Sequence, residues 1–109
     1  MNYYHIWADP IQGTKPIEFA IKMKKFLDEL VALKKMESYK LTRMKLGFRS
    51  FDLPEFHIIM EFRNMQQLDD AMTAVLNDEN NIEESHTGFN KLVDGETIQH
   101  ALYRDYPDE

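Results

Sequence analysis

The strongest constraint on this chain is the order in which its hydrophobic periods change. A period of two runs through residues 2–8, and a helical period follows from Pro16 to about Lys35. Two more β-type stretches occupy residues 37–48 and 55–63, with a turn region from Gly47 to Pro54. A helical period returns after Asn64, and residues 97–106 close the chain as a strand ahead of Pro107. The order is strand, helix, strand, strand, helix, strand. Few compact topologies accept it.

Each element carries its own local warrant. In the first helix Phe19, Met23, Phe26, Leu27, Leu30 and Leu33 recur at helical steps, with Thr14 placed as the N-cap and Pro16 in the first turn. Phe56, Ile58, Met60 and Phe62 alternate with His57, Ile59, Glu61 and Arg63, the clearest strand in the chain. Asn64 is placed to cap the second helix, with Gln67 completing a capping box and Leu68, Ala71, Met72, Val75 and Leu76 as the apolar face. Asn77 to Asn81 reads as a loop. Ile82, His86, Phe89 and Val93 then give a weaker helical pattern, interrupted by Gly88 and ended by Asp94-Gly95. These elements predict an α+β, ferredoxin-like βαββαβ sandwich. It is one domain over 1–109, with an antiparallel sheet in spatial order 4-1-3-2 and both helices on one face.

Composition narrows the function classes. There is no cysteine, which removes disulfides, thiolate metal sites and a cysteine nucleophile, so the fold name can refer to topology only. The net charge is −6, yet residues 15–49 hold ten Lys/Arg against four Asp/Glu, while residues 50–109 hold three against fourteen. An acidic total disfavours nucleic acid as a partner, and no RNP-type aromatic run or glycine-rich phosphate loop is present. The basic run Lys34, Lys35, Lys40, Arg43, Lys45 and Arg49 reads first as lysines guarding an edge strand, with an anion site for a carboxylated substrate or phosphate as the alternative. No stretch approaches the roughly 18 apolar residues a membrane span requires, and the first residues do not read as a signal peptide. The expectation is a cytoplasmic protein with no membrane partner.

Parity assigns the sheet faces. If Phe56, Ile58, Met60 and Phe62 pack beneath the helices, then His57, Ile59 and Glu61 point the other way. In the first strand Tyr4, Ile6 and Ala8 suit the helix side and send Tyr3, His5 and Trp7 to the open face. The first and third strands are neighbours, so His5 and His57 fall within cross-strand reach. The second and fourth strands are ambiguous by parity; Arg43 and Tyr103 are assigned to the open face. An open face this aromatic is covered most simply by a second copy, giving a homodimer.

His57 and His5 are the candidate catalytic groups, as proton-transfer residues. Tyr3, Trp7, Arg43, Glu61 and Tyr103 are the candidate ligand contacts. A two-histidine, one-carboxylate metal site is disfavoured, because His57 and Glu61 lie about 13–14 Å apart along a strand at roughly 3.4 Å per residue. The reading therefore calls for no metal and no cofactor. His86 reads as a core or interface histidine, and the methionines as packing.

Four stretches carry a resemblance: Asn2-Tyr3-Tyr4-His5-Ile6-Trp7, Leu41-Thr42-Arg43-Met44-Lys45-Leu46-Gly47, Glu55-Phe56-His57-Ile58, and Ala101-Leu102-Tyr103-Arg104-Asp105-Tyr106-Pro107-Asp108. They resemble an uncharacterised bacterial family of ferredoxin-like proteins of the dimeric α+β-barrel type, similar in length to this chain. That resemblance implies the fold and a dimer, not a reaction. The wider barrel group includes cofactor-free monooxygenases, muconolactone-type isomerases and haem-binding proteins, and no catalytic motif of theirs carries over to this sequence. Two functional readings stand. One is a small-molecule cavity on the sheet face, with acid–base, oxygenation or isomerisation chemistry on an aromatic or carbonyl metabolite. The other is a structural or regulatory dimer with a filled interface.

Overall fold

A computed structural model describes residues 1–77, 86–88 and 90–107. The elements are β1 (Asn2–Pro10), α1 (Pro16–Ala32), β2 (Ser38–Arg43), β3 (Phe56–Phe62), α2 (Met65–Leu76) and β4 (Val93–Arg104). All strand pairs are antiparallel and the sheet order is β2-β3-β1-β4. This is the ferredoxin-like order that the hydrophobic periods imply. The loop expected around residues 78–81, the helical positions Ile82 and Phe89, and Asp108 lie outside the described residues.

Strict alternation in β3 decides which face is the core. Phe56, Ile58, Met60 and Phe62 are buried, while His57, Ile59 and Glu61 between them are only half-buried. The buried row packs against Phe19, Met23, Phe26, Leu27 and Leu30 of α1, and against Ala71 and Ala74 of α2. Both helices therefore cover one face. Burying each of these large side chains contributes on the order of 1.5–3 kcal/mol.

The helix ends differ from the simplest sequence expectation. At the start of α1 the N-cap is Lys15, without a side-chain cap, and Pro16 supplies the preset first turn. Thr14 instead belongs to a preceding turn, its N–H bonded to the Ile11 carbonyl. At the other end, the Lys35 N–H reaches the Leu30 carbonyl and the Lys34 N–H reaches Val31, at 2.9 Å each. This is a Schellman closure, and it places Lys34 at φ 59°. A left-handed residue with a Cβ is strained, so a glycine would ordinarily stand there.

The second helix packs Leu68, Ala71 and Val75 on the core as expected but is rotated part-way from its expected face. Gln67, Ala71 and Ala74 are its buried residues, whereas Met72 is 37% and Leu76 85% exposed. Small Ala71 and Ala74 let the helix sit close to the sheet, and Gln67 is admitted because its polar atoms are all used. Asn64 Oδ1 accepts the Gln67 N–H at 2.9 Å, as the capping pattern requires. The Gln67 side-chain oxygen reaches the Arg63 N–H, one residue earlier than an ordinary capping box. Its amide nitrogen donates to the Lys34 carbonyl and to Glu37, at 3.1 Å each. One side chain thus ties the α1–β2 turn to the β3–α2 turn.

Two further differences concern strand lengths. The second strand ends at Arg43 rather than continuing to residue 48. The fourth begins at Val93, with Asp94 and Gly95 inside it. Pairing with β1 shifts register between Trp7 and Asp9, where the Asp9 N–H donates to Thr97 Oγ1 at 2.9 Å. An irregularity absorbs the polar Asp-Gly pair, so a turn signal sits within a strand.

Two substitutions test this local account. Gln67→Ala should lower unfolding free energy by about 2 kcal/mol, since it orphans backbone groups in two turns. Lys34→Gly should act oppositely, raising stability by about 1 kcal/mol through relief of the left-handed penalty. Urea unfolding of both variants checks the two signs.

Candidate functional site

The open sheet face is built in cross-strand rows. One row runs Ser38, Glu61, Tyr3, Tyr103; the next Lys40, Ile59, His5, Ala101; the third Thr42, His57, Trp7, Gln99. Pairing of β1 with β3 sets Trp7 directly opposite His57 and leaves His5 on the diagonal. The diagonal spacing on one face is within reach of aromatic side chains.

An aromatic group results. The Trp7 and His57 rings stack at 4.6 Å and 9°. His5 Nδ1 lies 2.9 Å from His57 Nε2, a hydrogen bond in which one ring donates and the other accepts. Tyr103 meets His5 edge-on at 4.9 Å. Tyr3 donates to Asp105 at 2.7 Å, and the amino group of Met1 lies 3.2 Å from the other Asp105 oxygen. Ser38 donates to Glu61 at 2.6 Å.

Most of the sequence-selected residues are therefore brought together. His5, His57, Trp7 and Tyr103 form the contact group, with Tyr3 and Glu61 in the adjoining row. Arg43 is the exception. Its row, with Tyr39 and Leu41, is the helix-side row opposite Phe56, Ile58 and Met60. The physical reason is that Tyr39 and Leu41 are the residues of β2 that pack on the core, which fixes the parity of the whole strand. Arg43 is held by Glu55 at 2.7 Å.

Arg43 nevertheless reaches a cleft at one end of the sheet. This cleft, of about 730 Å³, is lined by residues including Asp9, Met44, Leu53, Thr97 and Gln99. The loop between β2 and β3 forms one wall and presents Leu46, Phe48 and Phe51 to solvent. Sequence reasoning named Lys40 only as an edge-strand lysine and this loop only as a turn, and it did not single out Gln99. The signal for Lys40 and Gln99 was strand register, which one sequence does not carry.

The electrostatics favour neutral imidazoles. Burial lowers the His5 pKa from its ordinary 6.5; for His57 burial is the larger cause and the neighbouring His5 the smaller. Lys40 from β2, Glu61 on β3 and Tyr103 from β4 share the face around them. The hydrogen bond from Tyr3, with help from the N-terminal ammonium, lowers the Asp105 pKa, and Tyr3 itself is raised by the same bond. Among the described residues, no group of three or more His, Cys, Asp or Glu is arranged to hold a metal ion.

A family model spans residues 1–109, and its description reads "Family of unknown function (DUF6614)". The chain belongs to this family. No curated protein matches this DUF6614 chain in sequence. Solved structures match it in shape. A protein of Arabidopsis thaliana superposes at a TM-score of 0.72 with 12% identity, covering 100% of this chain and 99% of its own. A dimeric ferredoxin-like protein of unknown function from Jannaschia sp. CCS1 gives 0.68 and 10%, covering 95% and 98%. A dimeric protein of ferredoxin-like fold and unknown function from Bacteroides fragilis NCTC 9343 gives 0.61 and 11%, covering 94% and 93%. At such identities the likeness establishes the fold of this chain, and function has to be argued from the site.

The histidine shifts carry a pH prediction. A histidine whose folded pKa lies below 6.5 binds fewer protons in the folded state, so its contribution is complete above pH 6.5. As pH falls from there toward the folded values, stability is lost. Melting temperature at fixed protein concentration should drop across that window in the wild type. The drop should be smaller in His57→Gln, and an identical slope in both would contradict the assignment.

Proposed function

We propose that two copies of this chain pair through their open sheet faces and hold a small aromatic or carbonyl metabolite between them. In this reading His57 and His5 exchange protons with the ligand, and Trp7, Tyr3 and Tyr103 form its stacking wall. Lys40 and Glu61 supply charge on the same face, and Arg43 contacts the ligand from the end cleft. The chemistry is acid–base and needs no cofactor.

One observation carries the proposal. The hydrogen-bonded His5–His57 pair, stacked on Trp7, sits on a sheet face that no described helix covers. Two imidazoles tuned toward neutrality beside a flat aromatic surface suit proton transfer on a planar ligand better than they suit packing. Pairing of two copies is supported by an exposed aromatic on the edge strand of this face. Tyr103, opposite Tyr3 on this face, is 57% exposed. Similar folds that are themselves dimeric point the same way.

The second reading, a dimer module with a filled interface and no ligand, has its own support. Tyr3 and Glu61 already have partners in Asp105 and Ser38, so part of the polar face is satisfied without a ligand. The two readings diverge at His57.

Native mass spectrometry of the purified protein is the test, with expected result a dimer, and with bound metabolite appearing as extra mass on it. A monomer at micromolar concentration would contradict the pairing. In the ligand reading His57→Gln keeps the dimer and loses ligand-induced thermal stabilisation. In the filled-interface reading the same substitution weakens the dimer, by about 1–3 kcal/mol for a partner left unsatisfied.

A further inference from the structure

The geometry of the histidine pair says more than that the two rings touch. Their centroids lie 5.1 Å apart with planes at 22°, and the facing nitrogens are 2.9 Å apart. A ring nitrogen sits about 1.1 Å from its own centroid, so at this spacing centroid, nitrogen, nitrogen and centroid fall nearly on one line. The rings are end to end rather than face to face. That is the alignment of an N–H···N hydrogen bond, with one proton held between two lone pairs.

An in-line pair leaves one nitrogen at each end: His5 Nε2 and His57 Nδ1. Among the described residues neither is hydrogen-bonded and no buried side-chain nitrogen or oxygen is left without a partner, so both reach solvent. The two nitrogens of an imidazole face away from each other by about 140°, so the outer ends diverge and one small molecule cannot touch both. In the neutral pair one outer nitrogen carries a proton and the other a lone pair. Moving the shared proton across the 2.9 Å gap exchanges these roles.

We propose that His5 and His57 act as one two-ended proton relay, taking a carbon-bound proton from an enolisable carbonyl substrate at one outer nitrogen and passing a proton to water at the other. This deepens the ligand-binding reading and rests on it. The steps balance. The substrate C–H bond breaks, its proton joins the outer lone pair, and its electron pair becomes an enolate. The shared proton crosses to the second ring, and that ring's outer N–H goes to water. The pair ends neutral, in the opposite tautomer, and return traffic delivers a solvent proton to carbon or oxygen of the enolate. Carbon-bound hydrogen is exchanged or relocated, and nothing is oxidised. Lys40, in the same cross-strand row as His5 with Ile59 between them, is the cation placed on this face to meet an enolate.

The first arm of the test needs no ligand. In protein labelled with 15N-histidine, the relay predicts a 15N–15N coupling across the hydrogen bond between His5 Nδ1 and His57 Nε2, with both rings taking up one proton at a common midpoint. Absence of coupling and two separate midpoints would overturn it. The second arm uses phenylpyruvate in D2O as the probe, with Trp7 fluorescence reporting binding.

Wild type should speed deuterium entry at the methylene carbon. His5→Gln and His57→Gln should each lose most of that acceleration, about 100-fold. The double variant should be no slower than either, as expected of residues acting as a unit. A single variant that keeps the wild-type rate means one ordinary base and overturns the relay. Saturable quenching of Trp7 without exchange also overturns the relay and leaves ligand binding standing. No response from Trp7 removes the ligand-binding reading, and the relay's chemistry with it. Circular dichroism establishes that each variant is folded, and the coupling experiment on wild type stands independently of them.

Discussion

The alternation along β3 is the constraint on which the rest of the molecule depends. Phe56, Ile58, Met60 and Phe62 must lie under the helices, because only there do they find the apolar surface of α1 and α2. Once that side is chosen, antiparallel pairing carries the choice outward to every strand. Ile6 and Tyr4 follow on β1, Tyr39 and Leu41 on β2, and the opposite residues are sent to the uncovered face together. A slip of one residue would bury His57 and Glu61 and expose the phenylalanines. The same hydrophobic requirement that folds the sheet also collects the histidines and Trp7.

The proposed function rests on the uncovered face. Its polar groups are selectively satisfied: Tyr3 by Asp105, Glu61 by Ser38, and the histidines by one another. Lys40 is on this face without an ion partner among the described residues, whereas Arg43, Arg49 and Arg63 each have one. Elsewhere burial and tight hydrogen bonding fix single groups; burial first, and then the bond to Asp28, push the Tyr39 pKa up to about 12, which keeps that hydroxyl a donor on the helix side. The histidine pair differs in that both partners can give or take the proton. Covering the face would deepen the desolvation that already lowers both histidines and hold the pair neutral more firmly.

Much of this was legible in the sequence, for identifiable reasons. The fold followed from the order of periods, and the faces of β1 and β3 followed from clean alternation. Within those two strands His5 and His57 could be placed in reach of each other before any coordinates. Arg43 could not be placed, because β2 mixes Tyr39 and Leu41 with basic residues in one row and Lys40 with Thr42 in the other, so core contact decides its parity. Lys34 at positive φ was invisible because glycine is the residue that ordinarily announces a Schellman closure. The rotation of α2 was missed because a buried glutamine looks polar until its partners in two separate turns are known. Asp94-Gly95 reads as a turn locally and is overruled by pairing with β1.

The chain has one tryptophan, and it stands in the middle of the face in question. The most direct measurement of the central claim is quenching of Trp7 fluorescence by iodide across a protein dilution series. Pairing through the open face predicts that Trp7 is shielded at high concentration and becomes accessible on dilution, in step with dissociation measured by sedimentation. Iodide access that stays high at every concentration, or a dimer whose Trp7 remains fully accessible, would contradict the account.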